Sequence, residues 1–174
     1  MSAVQPKLYL NLYWHMHQPD YRDTITGQYV LPWTYLHAMK DYTDMAYHLE
    51  SNPKARVTFN FVPVLLDQLE DYTDQFNTKH IRDPLLALLV RNNLEYLSKE
   101  ERCLIVDSCF KSHHEKMLEP FAHYQRLLNI YNALRVQGST ASNYLSGQYM
   151  ADLLVWYHLA WTGESIRRNN TFVQ

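Results

Sequence analysis

The sequence predicts an α/β fold that opens with a strand, a helix and a second strand and continues as a mostly helical remainder. An almost uninterrupted apolar and aromatic run at 8–14 is typical of a strand buried on both faces of a parallel sheet. Apolar residues then recur at three- and four-residue steps over 36–49, and a β-branched and aromatic run follows at 57–62. Because two strands leave open edges and cannot enclose a core, we expect an incomplete barrel or half of an assembly.

Start and stop signals place the first helix and one later helix. Pro32 is suited to the first turn of a helix, which Asn52 and Pro53 bring to an end. Ser98 and Glu101 have the spacing of a capping box, in which each side chain accepts from the backbone N–H of the other residue. Another helix is therefore predicted to start there.

The rest of the helical remainder is predicted from apolar periodicity. Helices are expected after Pro63 and Pro84 and over 113–136 and 148–161. Pro120 is either tolerated early in a helix or marks its true start. Gly138 is expected to close that helix, and Gly163 to follow the last one as a C′ residue. A helix as apolar as 148–161 needs to be covered by other elements.

Charge and cysteine spacing exclude several classes of function. The net charge is −2 and no basic run is longer than Arg167 and Arg168, so nothing indicates binding to nucleic acid or to anionic membranes. Cys103 and Cys109 lie six residues apart on different faces of one helical stretch, which argues against a disulfide. The sequence has neither a signal-peptide pattern nor an apolar run of about 18 residues. The cytoplasm is therefore the expected location.

Two histidines at the end of the first predicted strand are candidate functional residues. His15 and His17 are separated by one residue, so strand alternation places both side chains on one face. From the residues alone, three interpretations stay open: two metal ligands, two hydrogen-bonding groups in a substrate pocket, or two histidines satisfied by backbone groups. A metal site needs a third ligand, for which Asp20, Asp23 and His37 show no recognised spacing. A pocket is favoured by position, because ligands of parallel α/β folds bind beyond the carboxyl ends of the strands.

The aromatic content points to the same kind of ligand. Tyr, Phe and Trp make up 14% of the chain, and Tyr21, Tyr29, Trp33 and Tyr35 follow the histidines closely. Most of the rings are expected in the core. Imidazole pairs and amphipathic aromatic rings nevertheless suit hydroxyl-rich ligands such as sugars.

The segment His15-Met16-His17-Gln18-Pro19-Asp20-Tyr21 resembles the first signature region of family 57 glycoside hydrolases. In that region a His-Gln-Pro core ends the first barrel strand, and Tyr often follows directly, whereas Asp20 intervenes here. Residues 32–42 (PWTYLHAMKDY) resemble the stretch that follows in many amylase-like members. Residues 154–161 (LVWYHLAW) are similar to an inserted helical segment of longer members. The likeness therefore extends over most of the chain.

The resemblance implies a retaining enzyme that acts on α-glucans through a distorted seven-stranded, (β/α)7-type barrel, with a glutamate nucleophile and an aspartate general acid/base. Both carboxylates belong to later signature regions, for which we find no match; Glu164 follows Thr-Gly but lacks that context. Residues 1–82 are then expected to be the N-terminal barrel portion and 83–174 a helical segment inserted in the barrel. At 174 residues, against about 250 for a typical α/β barrel, the chain is expected to be an N-terminal fragment that is inactive alone.

The resemblance also implies that the first signature region lines the substrate. His15 and His17 would line the subsite of the scissile sugar. Gln18 and Pro19 would fix the conformation of the loop.

Residues of the first predicted helix are implied to lie near the same cleft. Trp33 would offer a stacking face, or alternatively acts as a hydrophobic staple after Pro32. His37 and Lys40 would lie near the cleft, or alternatively form a solvated helix face. Asp41 is expected to be an ordinary carboxylate of the helix surface.

Three functions are therefore carried forward from the sequence. The first is the N-terminal portion of a retaining α-glucan-active glycoside hydrolase or transglycosylase that lacks the catalytic pair. The second is a non-catalytic assembly or binding module that buries its apolar surfaces in a homo-oligomer or against a missing C-terminal portion. The third is a metal-dependent hydrolase that uses His15 and His17. For the favoured function we expect an α-glucan or oligosaccharide ligand and no cofactor.

Overall fold

The computed structural model describes residues 7–136 and 141–171. Its strands are β1 (Tyr13–Met16) and β2 (Thr58–Phe61). The connection between them contains α1 (Trp33–His37), a π-helical turn (Ala38–Tyr42) and α2 (Thr43–Ser51). After β2 come α3 (Pro63–Thr78), α4 (Pro84–Leu89), α5 (Lys99–Cys109), a second π-helical turn (His114–Leu118), α6 (Ala122–Arg135), a 3-10 turn (Ala141–Tyr144), α7 (Gly147–Trp161) and α8 (Glu164–Asn169).

The two strands form a small parallel sheet. Tyr13 of β1 lies opposite Thr58 of β2, which confirms the predicted order of strand, helix and strand. The expected extent and burial of the first strand are wrong. The strand begins at Tyr13, and Leu8 and Leu10 before it are 94% and 81% exposed. A strand buried on both faces needs neighbours and covering layers that a two-stranded sheet does not supply.

The predicted helix between the strands is confirmed, with one feature that its pattern did not indicate. Pro32 is the N-cap of α1 and Asn52 is the C-cap of α2. Between them lies the π-helical turn, where the Thr43 hydroxyl donates to the carbonyl oxygen of Ala38 at 2.7 Å. Such a turn accommodates one extra residue and so rotates everything that follows it relative to a regular α-helix.

The apolar core is organised around α7, which packs against α1, α4, α5 and α6. Met150 and Leu153 of α7 are fully buried, as are Leu36 of α1, Ile105 of α5 and Tyr124 of α6. The expectation that this apolar helix needs a cover is confirmed. The core cluster contains residues from both sides of the predicted boundary between 82 and 83. The division of the chain at that point stays a prediction.

Side-chain caps start two of the helices, one of them the predicted capping box. The capping box is confirmed: the Ser98 hydroxyl accepts from the Glu101 N–H at 3.1 Å, and the Glu101 carboxylate accepts from the Ser98 N–H at 2.8 Å. The carboxylate of Asp83 caps α4 by accepting from the N–H groups of Leu85 and Leu86, each at 2.9 Å. These interactions satisfy N–H groups that have no partner inside a helix.

Over 113–136 the structure has no single continuous helix, and of the two alternatives for Pro120 the one that marks the true start of the helix is confirmed. A π-helical turn covers His114–Leu118, and α6 begins at Ala122. Pro120 separates the two, because it has no N–H and its ring clashes with the preceding turn of a helix. Pro120 thus lies just before the start of α6. Gly138, which was expected to close this helix, lies outside the described residues.

Gly163 directly follows Thr162, the C-cap of α7, so it lies at the C′ position expected of it, but it does not adopt the left-handed conformation usual there. Its φ is −57°, and it is the N-cap of α8. A Cβ at this position would lie 2.7 Å from Oδ1 of Asp44 and 3.1 Å from the carbonyl oxygen of Met39, so the close approach to α2 and to the π-helical turn before it favours glycine. Asp44 then caps α8 by accepting from the N–H groups of Glu164 and Ser165 at 2.8 and 2.9 Å.

Cys103 and Cys109 are both free cysteines, the first partly buried and the second buried. Burial raises the pKa of the Cys109 thiol. Among the helices of the described residues, none has the length and apolar character needed to cross a membrane.

A buried imidazole joins α7 to α1. Nδ1 of His158 lies 2.7 Å from the carbonyl oxygen of Leu154 and must donate to it, so Nε2 accepts from the Tyr35 hydroxyl at 2.7 Å. Burial lowers the pKa of His158 to about 4. The folded protein therefore favours the neutral ring.

The substitution His158→Gln is expected to weaken the acid dependence of stability. The folded pKa of about 4 lies below the ordinary value of 6.5, so the stabilisation is fully present above about pH 6.5 and is lost as the pH falls toward 4. In the wild type, the contribution of His158 to the free energy of unfolding falls by about 3 kcal/mol over this range. The variant lacks this contribution, because glutamine does not titrate. Urea unfolding of both proteins at about pH 7 and about pH 4 measures this change in the free energy of unfolding.

The exposed His123 provides the matched control for this experiment. His123→Gln should keep the wild-type difference between the two pH values. Equal pH dependence in His158→Gln and the wild type would contradict the role assigned to His158.

Candidate functional site

The two histidines predicted to share a face do so. The rings of His15 and His17 are stacked, with centroids 5.7 Å apart and planes 11° from parallel. Nδ1 of His15 lies 2.7 Å from Oδ1 of Asn60, its partner across the parallel pair. Both histidines are exposed. The carboxyl ends of the two strands thus present a polar surface made of two imidazoles and one amide.

The loop after β1 is held by a side chain that sequence reasoning missed. Gln68 of α3 is fully buried, and its Oε1 accepts from the N–H of Tyr21 and from the hydroxyl of Thr34, each at 3.1 Å. Its Nε2 donates to the carbonyl oxygens of Pro19 at 2.9 Å and Val64 at 3.1 Å. All four hydrogen-bonding capacities of the amide are therefore used. One side chain joins the loop, α1 and α3.

A signal for Gln68 does exist in the sequence. The buried residues of α3 are Leu65, Gln68, Tyr72 and Gln75, which recur at three- and four-residue steps. Two glutamines at the spacing of core positions indicate buried amides, because polar side chains rarely occupy such positions without partners.

Gln18 connects the loop to the π-helical turn. Its Oε1 accepts from the Tyr21 hydroxyl at 2.7 Å, and its Nε2 donates to the Tyr42 hydroxyl at 3.3 Å. The Tyr42 ring lies 6.4 Å from the ring of His37. Burial raises the pKa of both tyrosines, so their hydroxyl groups stay protonated at neutral pH. The structure therefore brings the predicted residues Gln18 and His37 into one connected group.

His37 lies in an aromatic cluster that includes a residue from α7. Its ring centroid is 6.4 Å from that of Trp33 and 5.3 Å from that of Trp161, to which it is nearly perpendicular at 83°. The two tryptophan rings are 5.6 Å apart. Trp33 thus packs against α7 and is partly buried, which agrees with an anchoring role as well as with a stacking face.

A carboxylate completes this cluster. Asp41 was expected to be an ordinary surface residue, yet its Oδ2 accepts a hydrogen bond from Nδ1 of His37 and its Oδ1 accepts from Nζ of Lys40 at 2.8 Å. The hydrogen bond from His37, with the one from Lys40, lowers the pKa of Asp41 to about 2. Asp41 is therefore a charged partner of two residues that the sequence placed near the cleft.

Most of the chain matches the sequence model of a known protein family. The sequence model of glycosyl hydrolase family 57 matches residues 11–170. The chain belongs to glycosyl hydrolase family 57. The resemblance in the His-Gln-Pro segment is thereby confirmed, and family 57 membership supports a glycosidase-type function with a carbohydrate substrate. Neither the curated proteins nor the solved structures include a match to this chain.

The acidic residues next to the family 57 loop form ion pairs. Arg22 binds both oxygens of Asp20, at 2.9 and 2.8 Å, and also contacts Asp67 on α3. The hydrogen bonds from Arg22 lower the pKa of Asp20. The carboxyl of Asp20 is therefore ionised near neutral pH and does not serve as a general acid, because a general acid must carry a proton.

A metal site receives no support from the described residues of this family 57 chain. Across 7–136 and 141–171, no group of three or more His, Cys, Asp or Glu side chains is arranged to hold a metal ion. His15 and His17 therefore lack a third protein ligand there, and a metal site with two ligands is incomplete.

The substitution Gln68→Leu is expected to destabilise the protein by about 3 kcal/mol. Leucine has a similar volume but leaves the N–H of Tyr21 and the carbonyl oxygen of Pro19 without their buried partner, and each such loss costs about 1–3 kcal/mol. Urea unfolding at neutral pH measures the change. Gln125→Leu on the exposed side of α6 is the control and should stay within about 0.5 kcal/mol of the wild type. A Gln68→Leu variant as stable as the wild type would refute the structural role of this amide.

Proposed function

We propose that this chain is the N-terminal portion of a retaining, α-glucan-active glycoside hydrolase or transglycosylase, carrying substrate-lining residues but not the catalytic Glu/Asp pair. The observation that carries the proposal is the family 57 His-Gln-Pro loop at the carboxyl ends of two parallel strands, with His15 and His17 side by side. Ligands of parallel α/β folds bind at this end of the strands.

Each proposed substrate-lining residue has a role that its surroundings support. His15 and His17 are exposed and can exchange hydrogen bonds with sugar hydroxyls. Gln18, tied to Tyr42, holds the loop. Trp33 and His37 flank one another on successive turns and offer an aromatic surface to a sugar ring.

The incomplete sheet supports a (β/α)7-type barrel of which this chain supplies one part. Tyr13 and Phe61 within the strands are 55% and 42% exposed, and Leu8 and Leu10 before β1 are more exposed still. Further strands of a barrel would cover this apolar surface and pair with the open strand edges. On this proposal 1–82 is the barrel portion and 83–174 is a helical insertion in it.

The environment of the carboxylates supports a catalytic pair located elsewhere. Retention needs two carboxyl groups about 5 Å apart, and the acid/base member needs a raised pKa. The pKa of Asp83 is raised by burial, but its carboxylate caps α4 and accepts from the Tyr72 hydroxyl at 2.8 Å. Glu164 is held by Arg168 and Arg167, which lower its pKa. Both side chains thus have structural roles.

The proposal predicts selective binding of α-linked glucans. Maltoheptaose should bind the purified chain in isothermal titration calorimetry, whereas a β-linked oligosaccharide of similar length should not. The double substitution His15→Ala and His17→Ala should weaken this binding about tenfold or more, because hydrogen bonds to sugar hydroxyls are lost. His123→Ala, at an exposed position on α6, should bind like the wild type.

Two results would contradict the proposal. If the chain bound α- and β-linked glucans equally well, or bound neither, an α-glucan could not be its substrate. Release of reducing sugar from starch by the purified chain would show that the catalytic pair is present in it.

The exposed apolar residues around β1 also favour the second candidate, an assembly module. Leu8, Tyr9 and Leu10 are each more than 80% exposed, and such a surface is suited to burial against another chain. Sedimentation analysis separates the two functions. A stable homo-oligomer with no affinity for maltoheptaose would support the assembly function over the glucan-binding one.

A further inference from the structure

The side chain of Asp41 has the arrangement of a residue that orients a functional imidazole. It lies one helical turn after His37, its side chain is 29% exposed, and it accepts through both oxygens, from Nδ1 of His37 and from Nζ of Lys40. A carboxylate bonded through both oxygens to neighbouring donors has little rotational freedom. It can therefore fix the ring that it contacts.

The charge of Asp41 determines which nitrogen of His37 carries the proton. The hydrogen bonds from His37 and Lys40 hold the pKa of Asp41 at about 2, so its carboxylate is ionised at neutral pH and can only accept. Nδ1 of His37 must then be the donor. In the neutral imidazole this leaves Nε2 unprotonated, with a lone pair directed away from Asp41.

The remaining contacts of His37 restrict the ring without using Nε2. Trp161 meets the ring nearly edge-on at 5.3 Å, and the ring centroids of Trp33 and Tyr42 are each 6.4 Å from that of His37. Within residues 7–136 and 141–171 no hydrogen bond to Nε2 of His37 is found. The side chain is 30% exposed, so a ligand can reach it.

We infer that Asp41 is a positioning residue that fixes the tautomer of His37, so that Nε2 of His37 accepts a hydrogen bond from a hydroxyl group of a bound sugar. The identity of the ligand rests on the proposed glucan-binding function. Sugar hydroxyls are donors that suit an unprotonated imidazole nitrogen, and Trp33 beside His37 offers an apolar ring to the C–H face of the same sugar. A rigid acceptor loses less entropy on binding than a mobile one.

Nitrogen NMR of the 174-residue chain tests the tautomer without any ligand. At about pH 9, above the ordinary titration range of imidazole, His37 of the wild type should show a protonated Nδ1 and an unprotonated Nε2. In Asp41→Ala the population should shift toward the form protonated at Nε2, which histidine favours in water. Asp41→Asn keeps an oxygen that can accept from Nδ1 and should retain much of the wild-type tautomer.

Glu50→Ala is the matched control, because Glu50 is an exposed carboxylate on the adjoining α2. It should leave the nitrogen shifts of His37 unchanged. A wild-type His37 protonated mainly at Nε2, or an Asp41→Ala variant with unchanged shifts, would overturn the inference.

Titration with maltoheptaose then separates this inference from the proposed function. Asp41→Ala should bind about tenfold more weakly than the wild type, and Asp41→Asn should recover part of the loss. If the wild type binds and Asp41→Ala binds equally well, the role of Asp41 fails while the glucan-binding function stands. If the wild type binds no glucan although its tautomer is as expected, the proposed function fails and only the orientation of His37 by Asp41 stands.

Discussion

The amide of Gln68 is the interaction on which the arrangement of the site depends. It is buried where the loop after β1, the start of α1 and the start of α3 meet, and its four hydrogen bonds fix all three relative to one another. A backbone segment that ends a strand and contains Pro19 cannot form regular hydrogen bonds of its own. A side chain must therefore supply them, and a neutral amide does so without the desolvation cost of a buried charge.

The helical segment contributes to the site as well as to the core. Trp161 of α7 contacts both Trp33 and His37, and His158 one turn earlier accepts from the Tyr35 hydroxyl. The helix α1 is thus covered by α7 at Trp33, Tyr35 and His37. The surface that presents His37 is consequently built by two stretches of chain that are far apart in sequence.

Structural features that depend only on residues close together in the chain could be predicted from the sequence. The Ser98 capping box, the breaks at proline and the shared face of His15 and His17 each follow from a spacing of a few residues. The contacts of Gln68 with Tyr21 and of Trp161 with His37 join residues separated by long stretches of chain, and no local pattern specifies such partners. The first strand was predicted too early for the same reason, since burial of Leu8 and Leu10 depends on covering elements rather than on their own hydrophobicity.

The π-helical turn over Ala38–Tyr42 contains one residue more than a regular α-helix would need. This extra residue sets both the rotation of α2 relative to α1 and the position of Asp44 at α8. Removing that residue would restore a regular α-helix and rotate α2 by about 100° relative to α1. Asp44 would then leave the first turn of α8, where it accepts from Glu164 and Ser165, while His37 would keep its place beside Trp33. Related chains that differ by a single insertion or deletion here would therefore dock their last helix differently on an otherwise similar first helix.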